Sequence, residues 1–425
     1  MVGAGEHNTS FFHASIINRR RRNRITSLKY RMGNCITEES EVVEYIKRWY
    51  MDLYTMGLED SQRRTWDIPN WPICLFEKEA QALSIPVEEK EIKDGLWALK
   101  AFKAPGLDRL HVGFYQRFWM IMRKSVMDLV KKVFETGCIS SYVNKTLITL
   151  IPKHLGADSL GSYRLISLCN TVYKVILKVI VFRLRPYLDR LISLMKEAFI
   201  PSRKCADNAI IVQELLHTVS LKKGKVGYMA VKINLEKAYD RLKWSFIRDT
   251  FTLFNIPFLS KVIISCISTF SIEVLFNGGA LESFNPSKGI RQGDSLSPYI
   301  FIMCMEVLVF FIQDKCNAKL WDLVKNSRGG LAISHLFFAD DLVLFAKANM
   351  KNCLYMMDAL EGFCGVSRQK INKEKSRAYF SPNVVISDRE ELCGVLGIRS
   401  MPKLGKYLSF PLKQPGSSSA GTLTL

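Results

Sequence analysis

Hydrophobic positions change their spacing several times along this chain. In residues 38–54 they fall at Val42, Val43, Ile46, Trp49, Tyr50 and Leu53, a helical period. Residues 86–99 open on Pro86 and carry Glu88, Glu89 and Glu91 in the first turn, which predicts a helix start. Residues 112–136 predict one helix closed by Gly137. Residues 172–188 predict an amphipathic helix with Lys174, Lys178, Arg183 and Arg185 on its polar side. Short apolar runs at 147–152 and 228–235 predict strands, and residues 271–277 and 280–284 predict a hairpin turning at Gly278-Gly279. Residues 67–72 contain two prolines and read as a linker. Residues 336–346 are apolar except for Asp340-Asp341, which predicts a second hairpin with two carboxylates at its bend. Strands and helices mixed in this order indicate an α+β fold.

Composition narrows the class. With 425 residues the chain is long enough for more than one domain, and at 48% hydrophobic and 11% aromatic it carries a core. The net charge of +20 points to a polyanionic partner, either nucleic acid or an anionic membrane surface. A membrane span is not expected: the longest apolar run, residues 299–312, is short and interrupted by Glu306. The 11 cysteines form no Cys-x-x-Cys pair, so no zinc site is expected, and a reduced intracellular setting fits. The basic run Arg19-Arg20-Arg21-Arg22-Asn23-Arg24 suits phosphate contact, a nuclear signal or a solvated helix face. Residues 415–425 are rich in Ser, Gly and Thr and read as a disordered tail.

The carboxylate hairpin is where chemistry enters. Burying carboxylates in an apolar hairpin costs several kcal/mol unless a cation or donors compensate. A divalent cation with oxygen ligands does so; an ordinary surface turn is the other reading.

Other segments decide between them. These are Val231-Lys232-Ile233-Asn234-Leu235-Glu236-Lys237-Ala238-Tyr239-Asp240, Gly289-Ile290-Arg291-Gln292-Gly293-Asp294, Phe338-Ala339-Asp340-Asp341, residues 371–376 and residues 407–412. In this order and spacing the chain resembles the palm of reverse transcriptases, and in particular the non-LTR (LINE-type) retrotransposon polymerases of plants. Upstream matches extend the resemblance over nearly the whole chain: residues 8–13 before the arginine run, Lys103-Ala104-Pro105-Gly106, residues 163–168, and residues 199–214 with Arg203, Asp207, Asn208 and Glu214.

The resemblance implies a right-hand polymerase with an antiparallel palm sheet. It implies a basic helical N-terminal extension over residues 1–84, fingers and palm over 85–348, the end of the palm with a truncated thumb over 349–412, and a tail over 413–425. It implies RNA-templated addition of deoxynucleotides to a DNA primer 3′ end, with two Mg²⁺ ions for which Mn²⁺ can substitute. The implied partners are template RNA, primer DNA and deoxynucleoside triphosphates, with no membrane, and the implied location is the nucleus. By the same resemblance Asp340, Asp341 and Asn234 stand at the metal ligands. Tyr239 would exclude a 2′-hydroxyl, and Gln292 and Gly293 would line the nucleotide and template pocket. Lys153 and Arg164 would grip the triphosphate, and Lys375 would protonate the leaving pyrophosphate. Tyr239 in a core, Gly293 in a plain turn, and the three cations on a solvated surface are the alternative readings of those residues.

One departure bears on activity. Asn234 stands where the family carries the Asp that bridges both metals; it offers one neutral carbonyl oxygen and an amide donor. Glu236 is no replacement, because the family already has an acidic residue there. Impaired turnover is therefore expected. Leu107, Leu165 and Ser295 replace usual prolines, and Arg109 and Ser409 replace usual glycines, which reads as drift in a decaying copy. The endonuclease and Cys/His-rich regions of full-length elements are not in this sequence, so this segment alone is not expected to complete an insertion. Two other functions share the fold: a folded RNA-binding remnant without turnover, and an intron-maturase-like splicing cofactor.

Overall fold

The computed structural model describes residues 10–30, 33–55, 71–196, 200, 203, 205–325, 330, 332–338, 341–402, 406–407 and 410–411. Its contacts divide it into two units, Met1–Arg63 with Gln81–Arg183 and Pro257–Ser297, and Arg64–Ala80 with Leu184–Ile256 and Pro298–Leu425.

In the first unit, the strand Thr146–Pro152 buries alternate residues and sits between two partners. It pairs antiparallel with Tyr163–Cys169, in the register Thr146↔Cys169 to Pro152↔Tyr163, and parallel with Ile272–Phe276. The hairpin after Phe276 turns at Asn277 (φ 46°) and Gly278 (φ 101°), one position earlier than the sequence pattern places it. Asn-Gly satisfies the two positive φ angles of the tight turn whose twist matches the strands. Its second arm is brief, Gly279–Ala280, before Phe284 rejoins Ile272 through paired hydrogen bonds of 2.8 and 3.0 Å.

Helices pack around this sheet. Glu39–Tyr54 buries Val42, Ile46 and Tyr50 of the expected stripe together with Tyr54, while Val43, Trp49 and Leu53 are half-buried. Glu89–Trp97 starts three residues after Pro86, behind a capping box in which Glu88 and Glu91 each take the other's backbone N–H. The single helix expected over 112–136 is two, Val112–Arg117 and Trp119–Thr136, broken at Phe118 (φ −102°, ψ 28°), where the apolar period continues and no Pro or Gly marks the break. Gly137 (φ 71°) ends the second as expected.

Thr171–Leu184 is not amphipathic: Val175, Ile176, Leu177, Val179 and Ile180 are all buried. Arg183, placed on its polar side by pattern, is buried too. It donates from Nε and Nη2 to the two oxygens of Glu91, each at 2.8 Å, and from Nη1 to the carbonyls of Leu83 and Ile85. This forked geometry makes burial of the charge tolerable. The helix ends at Leu184, and Pro186 lies in the 3₁₀ turn Arg185–Tyr187 that follows.

The second unit is built on a five-stranded sheet in the order His335–Phe338, Asp341–Lys347, Tyr228–Asn234, Arg377–Phe380, Arg399–Ser400. All neighbours are antiparallel except the last pair. Val212, Leu215, Leu216 and Val219 of the helix Cys205–Ser220 share one core cluster with Ala230, Val343, Phe345 and Tyr379. On the other face Met229 touches Cys353, sulfur to sulfur at 3.7 Å, on the helix Met350–Ser367. Burial on both faces is why the central strands read as near-continuous apolar runs. Most of the 67–72 linker, Ser409 and the 413–425 tail lie outside the described residues; Lys406–Tyr407 pairs with Phe410–Pro411. Among the described residues no helix is long and apolar enough to cross a membrane. Arg19–Arg22 lie on the helix Ser10–Asn23 and are exposed.

Candidate active site

The central strands of the second unit bring Asn234 and Asp341 together. Their register pairs Leu342 with Ile233, which leaves Asn234 directly opposite Asp341 at the strand ends. Directly opposed residues hold their Cβ atoms roughly 4.5–5.5 Å apart on one face of the sheet. Lys232, two residues before Asn234, shares that face, and its Nζ lies 3.4 Å from Asp341 Oδ1. Asp340 lies outside the described residues.

The segment 371–376 closes the strand end. Asn234 N–H donates to Ser376 Oγ at 3.0 Å, and Asn234 C=O accepts from Asn372 N–H at 2.8 Å. Ser376 Oγ in turn donates to Asn372 C=O at 2.8 Å. Lys375 sits in this turn, exposed, with its backbone N–H on Asn372 Oδ1 at 3.0 Å. The backbone of Asn234 is thus pinned while its side chain is left half-buried toward Asp341.

Beyond Asn234 the chain turns through Lys237, whose φ of 48° is left-handed, into the short helix Ala238–Arg241. Gln369 Nε2 holds this turn by donating to Ala238 C=O at 2.8 Å. Tyr239 stacks on Phe301, with ring centroids 4.9 Å apart and planes 14° from parallel.

The other predicted residues belong to the first unit. Gln292 C=O accepts from Ser167 N–H at 2.9 Å, which lays the 289–294 loop along the strand that carries Arg164. Gly293 has φ +100°, and a Cβ there would meet Ile166 and the Ser167 backbone at 3.6–3.9 Å, ordinary contact, so backbone conformation rather than space calls for glycine. Arg291 anchors the loop from below. It is buried, donates to Tyr173 Oη and to the carbonyl and side chain of Asn144, and lies 4.0 Å from the centre of the Phe270 ring. Asp294 caps the following helix by accepting from Leu296 and Ser297 N–H at 3.0 and 2.6 Å. Arg164 is exposed and pairs in register with Ile151. Lys153 is just past the same strand end and donates to Gly161 C=O at 2.7 Å. Both cations therefore lie at one end of one hairpin.

Sequence reasoning passed over Lys232, Arg291 and Ser376. The period of two along the 228–234 strand already puts Lys232 on the face of Asn234. Nothing local signals the buried anchor Arg291.

The donor chemistry here suits a divalent cation in part. Among the described residues no group of three metal-capable side chains occurs. Asp341 offers a carboxylate, Asn234 a carbonyl oxygen, and the Lys232 ammonium already serves as a cation beside Asp341. Hard oxygen donors of this kind are what Mg²⁺ takes. A carboxylate in place of the Asn234 amide would add the charge that the present pair lacks.

A family model described as reverse transcriptase (RNA-dependent DNA polymerase) matches residues 151–412. The chain is 22% identical over 374 residues to the transposon TX1 uncharacterized 149 kDa protein of Xenopus laevis, which covers 87% of this chain and 28% of that protein. It is 27% identical over 282 residues to the retrovirus-related Pol polyprotein from the type-2 retrotransposable element R2DM of Drosophila melanogaster, covering 65% of this chain and 24% of that one. To the corresponding polyprotein from the type-1 retrotransposable element R2 of Nasonia vitripennis it is 25% identical over 279 residues, 64% of this chain and 25% of that one. The chain thus spans 24–28% of the length of these relatives.

Proposed function

Because the chain belongs to the reverse transcriptase (RNA-dependent DNA polymerase) family, we propose that it is the polymerase segment of a non-LTR retrotransposon protein. In this reading it extends a DNA primer 3′ end on an RNA template, and Asn234 impairs it. The observation that carries the reading is the pairing of Asn234 with Asp341 next to Asp340 in sequence. That is the place from which carboxylates on adjacent strands serve nucleotidyl transfer.

Asp340, Asp341 and Asn234 would hold the divalent ions. When bound, such ions lower the charge on the attacking and leaving oxygens. Tyr239, backed by Phe301, presents a rigid ring suited to sensing the sugar of an incoming nucleotide. Gln292 and Gly293 bring backbone and an amide to the nucleotide. Arg164 and Lys153 supply cations for its triphosphate, Arg through its forked donors. Lys375, exposed in the turn whose Asn372 and Ser376 hold the Asn234 backbone, would give a proton to departing pyrophosphate. The net charge of +20 supports phosphate contacts along template and primer.

A second reading, an RNA-binding remnant without turnover, is favoured by the neutral Asn234 and by the Lys232–Asp341 contact, which balances the remaining described carboxylate.

Primer extension on a poly(A)-type RNA template with Mg²⁺ or Mn²⁺ separates the two. Run beside Asn234→Asp and Asp340→Ala, the chain is expected to extend weakly or not at all, and Asn234→Asp to extend. Extension by the unmodified chain, lost in Asp340→Ala, would show Asn234 to be tolerated. No extension by any variant, with RNA binding intact, would favour the remnant.

A further inference from the structure

Beneath the carboxylate hairpin the second unit buries a charge pair. Lys196 and Glu306 are 3% and 4% exposed, and Lys196 Nζ lies 2.7 Å from Glu306 Oε1. At that distance the two charges are in direct contact. The ammonium also donates to Ile302 C=O at 3.3 Å and lies 4.8 Å from the centre of the Phe337 ring. Burial lowers Lys196 to about 8, so it still carries its proton at neutral pH, whereas burial and the Lys196 charge push His335 down to about 3 and keep that imidazole neutral.

The pair is attached to the strand that leads into the carboxylates. Lys196 forms an isolated parallel bridge with Phe337, whose N–H donates to Met195 C=O at 3.0 Å. Phe337 is three residues before Asp340 in the strand His335–Phe338. The Lys196 segment is itself clamped, because the Arg203 guanidinium donates to the carbonyls of Asp189, Ile192, Ser193 and Lys196. Glu306 lies within the helix Ser297–Asn317. One line of contacts therefore runs from Arg203 through Lys196 to the hairpin strand, and from Lys196 to Glu306.

A buried pair of this kind is a costly way to gain stability, since apolar residues of similar volume serve as well or better. What it adds is directional: the ammonium is attracted to a single carboxylate. We propose that Lys196 and Glu306 are positioning residues that fix the strand His335–Phe338, and with it Asp341, which pairs with Phe338, for nucleotidyl transfer. The role of Asp341 rests on the polymerase reading above; the fixing of the strand does not.

The test uses the full chain carrying Asn234→Asp as parent, with Lys196→Met, Glu306→Leu and the double substitution. Two quantities are read: amide hydrogen exchange over residues 332–347, and single-turnover nucleotide incorporation. Each single substitution leaves one charge buried without its partner. Exchange over 332–347 is expected to rise about 10-fold or more, with the strand Thr146–Pro152 unchanged. The incorporation rate is expected to fall about 10-fold while nucleotide KM stays within about 3-fold, the pattern of an interaction lost only in the transition state. The double substitution removes both charges, and is expected to return exchange and rate to within about 3-fold of the parent. If a single variant does not fold, Glu306→Gln, which keeps shape and removes charge, takes its place. Exchange and rate within about 2-fold of the parent in folded single variants, or a double variant no better than the singles, would overturn the proposal. If the parent does not extend primer, the polymerase reading fails by itself, and the exchange measurement still decides whether the pair fixes the strand.

Discussion

The substitution Asn234→Asp has a stability consequence that can be worked from the strand register. It sets a second carboxylate opposite Asp341, at the roughly 5 Å Cβ separation of directly paired residues. Two unit charges at that distance repel by about 1–3 kcal/mol for effective dielectric constants between about 80 and 20. Lys232 offsets part of this, because its Nζ is 3.4 Å from Asp341 Oδ1 on the same face. The metal-free variant is therefore expected to be about 1–2 kcal/mol less stable than the chain as it stands, a drop of roughly 2–8 °C in melting temperature at about 2–4 °C per kcal/mol.

A divalent ion reverses the sign. Ligand at about 100 times its dissociation constant stabilises the folded state by about 2.7 kcal/mol. Melting curves in EDTA and in Mn²⁺, for the chain and for Asn234→Asp, then show a crossing: the variant melts lower without metal and gains more from it. Binding is read here without any demand for turnover. Equal melting in EDTA with no response to Mn²⁺ in either protein would refute the placement of a metal site at these strand ends. An equal response in both would show that the Asn234 carbonyl suffices as a ligand.

Gly106 would place a Cβ 2.4 Å from both Asn170 N and Asn170 Oδ1, so Gly106→Ala is expected to cost about 2 kcal/mol or more and to lower the melting temperature accordingly. Arg109, where the resembling family has Gly, is exposed at φ 57°, and Arg109→Gly is expected to stabilise by about 1 kcal/mol, read from the denaturant midpoint. Burial depresses His335 to about 3 from the ordinary imidazole value of 6.5, so the unfolded chain takes up that proton first as pH falls. Stability is then full above 6.5 and lost progressively from there toward 3, by up to about 1.4 kcal/mol per pH unit. His335→Phe is expected to flatten that slope in urea unfolding between pH 4.5 and 6.5.

Much of this fold is legible from residue pattern, for a physical reason. The strands Tyr228–Asn234 and Asp341–Lys347 are covered on both faces, so their apolar runs are continuous and bounded by polar ends. What pattern does not reach is long-range pairing. Arg183 has the charge of a surface residue, and only Glu91, far away in sequence, makes it a core residue. Hydrophobic spacing sets the hairpin turn at Gly278-Gly279, one residue late, because spacing does not register the left-handed tolerance of Asn277. The break at Phe118 has no local cause in the sequence.

The departures from the family pattern meet different structural resistance. Arg109 keeps a left-handed conformation that glycine would hold at less cost, so the residue present there is carried with strain. Leu165 is buried opposite Leu150 in the edge strand Tyr163–Cys169, where Ser167 N–H two residues on points away from the partner strand to Gln292 C=O, so leucine and proline are both tolerated at this position. Asn234 goes further, since it removes a negative charge from a strand end whose partner Asp341 already has Lys232 beside it. Without a metal, a neutral residue there is the lower-energy choice; on the polymerase reading proposed above, a bound metal would favour the carboxylate. On that reading, selection for stability and selection for catalysis would pull position 234 in opposite directions. A chain released from the second would then be expected to change at this position before it changes at Gly106, where backbone contact allows no side chain.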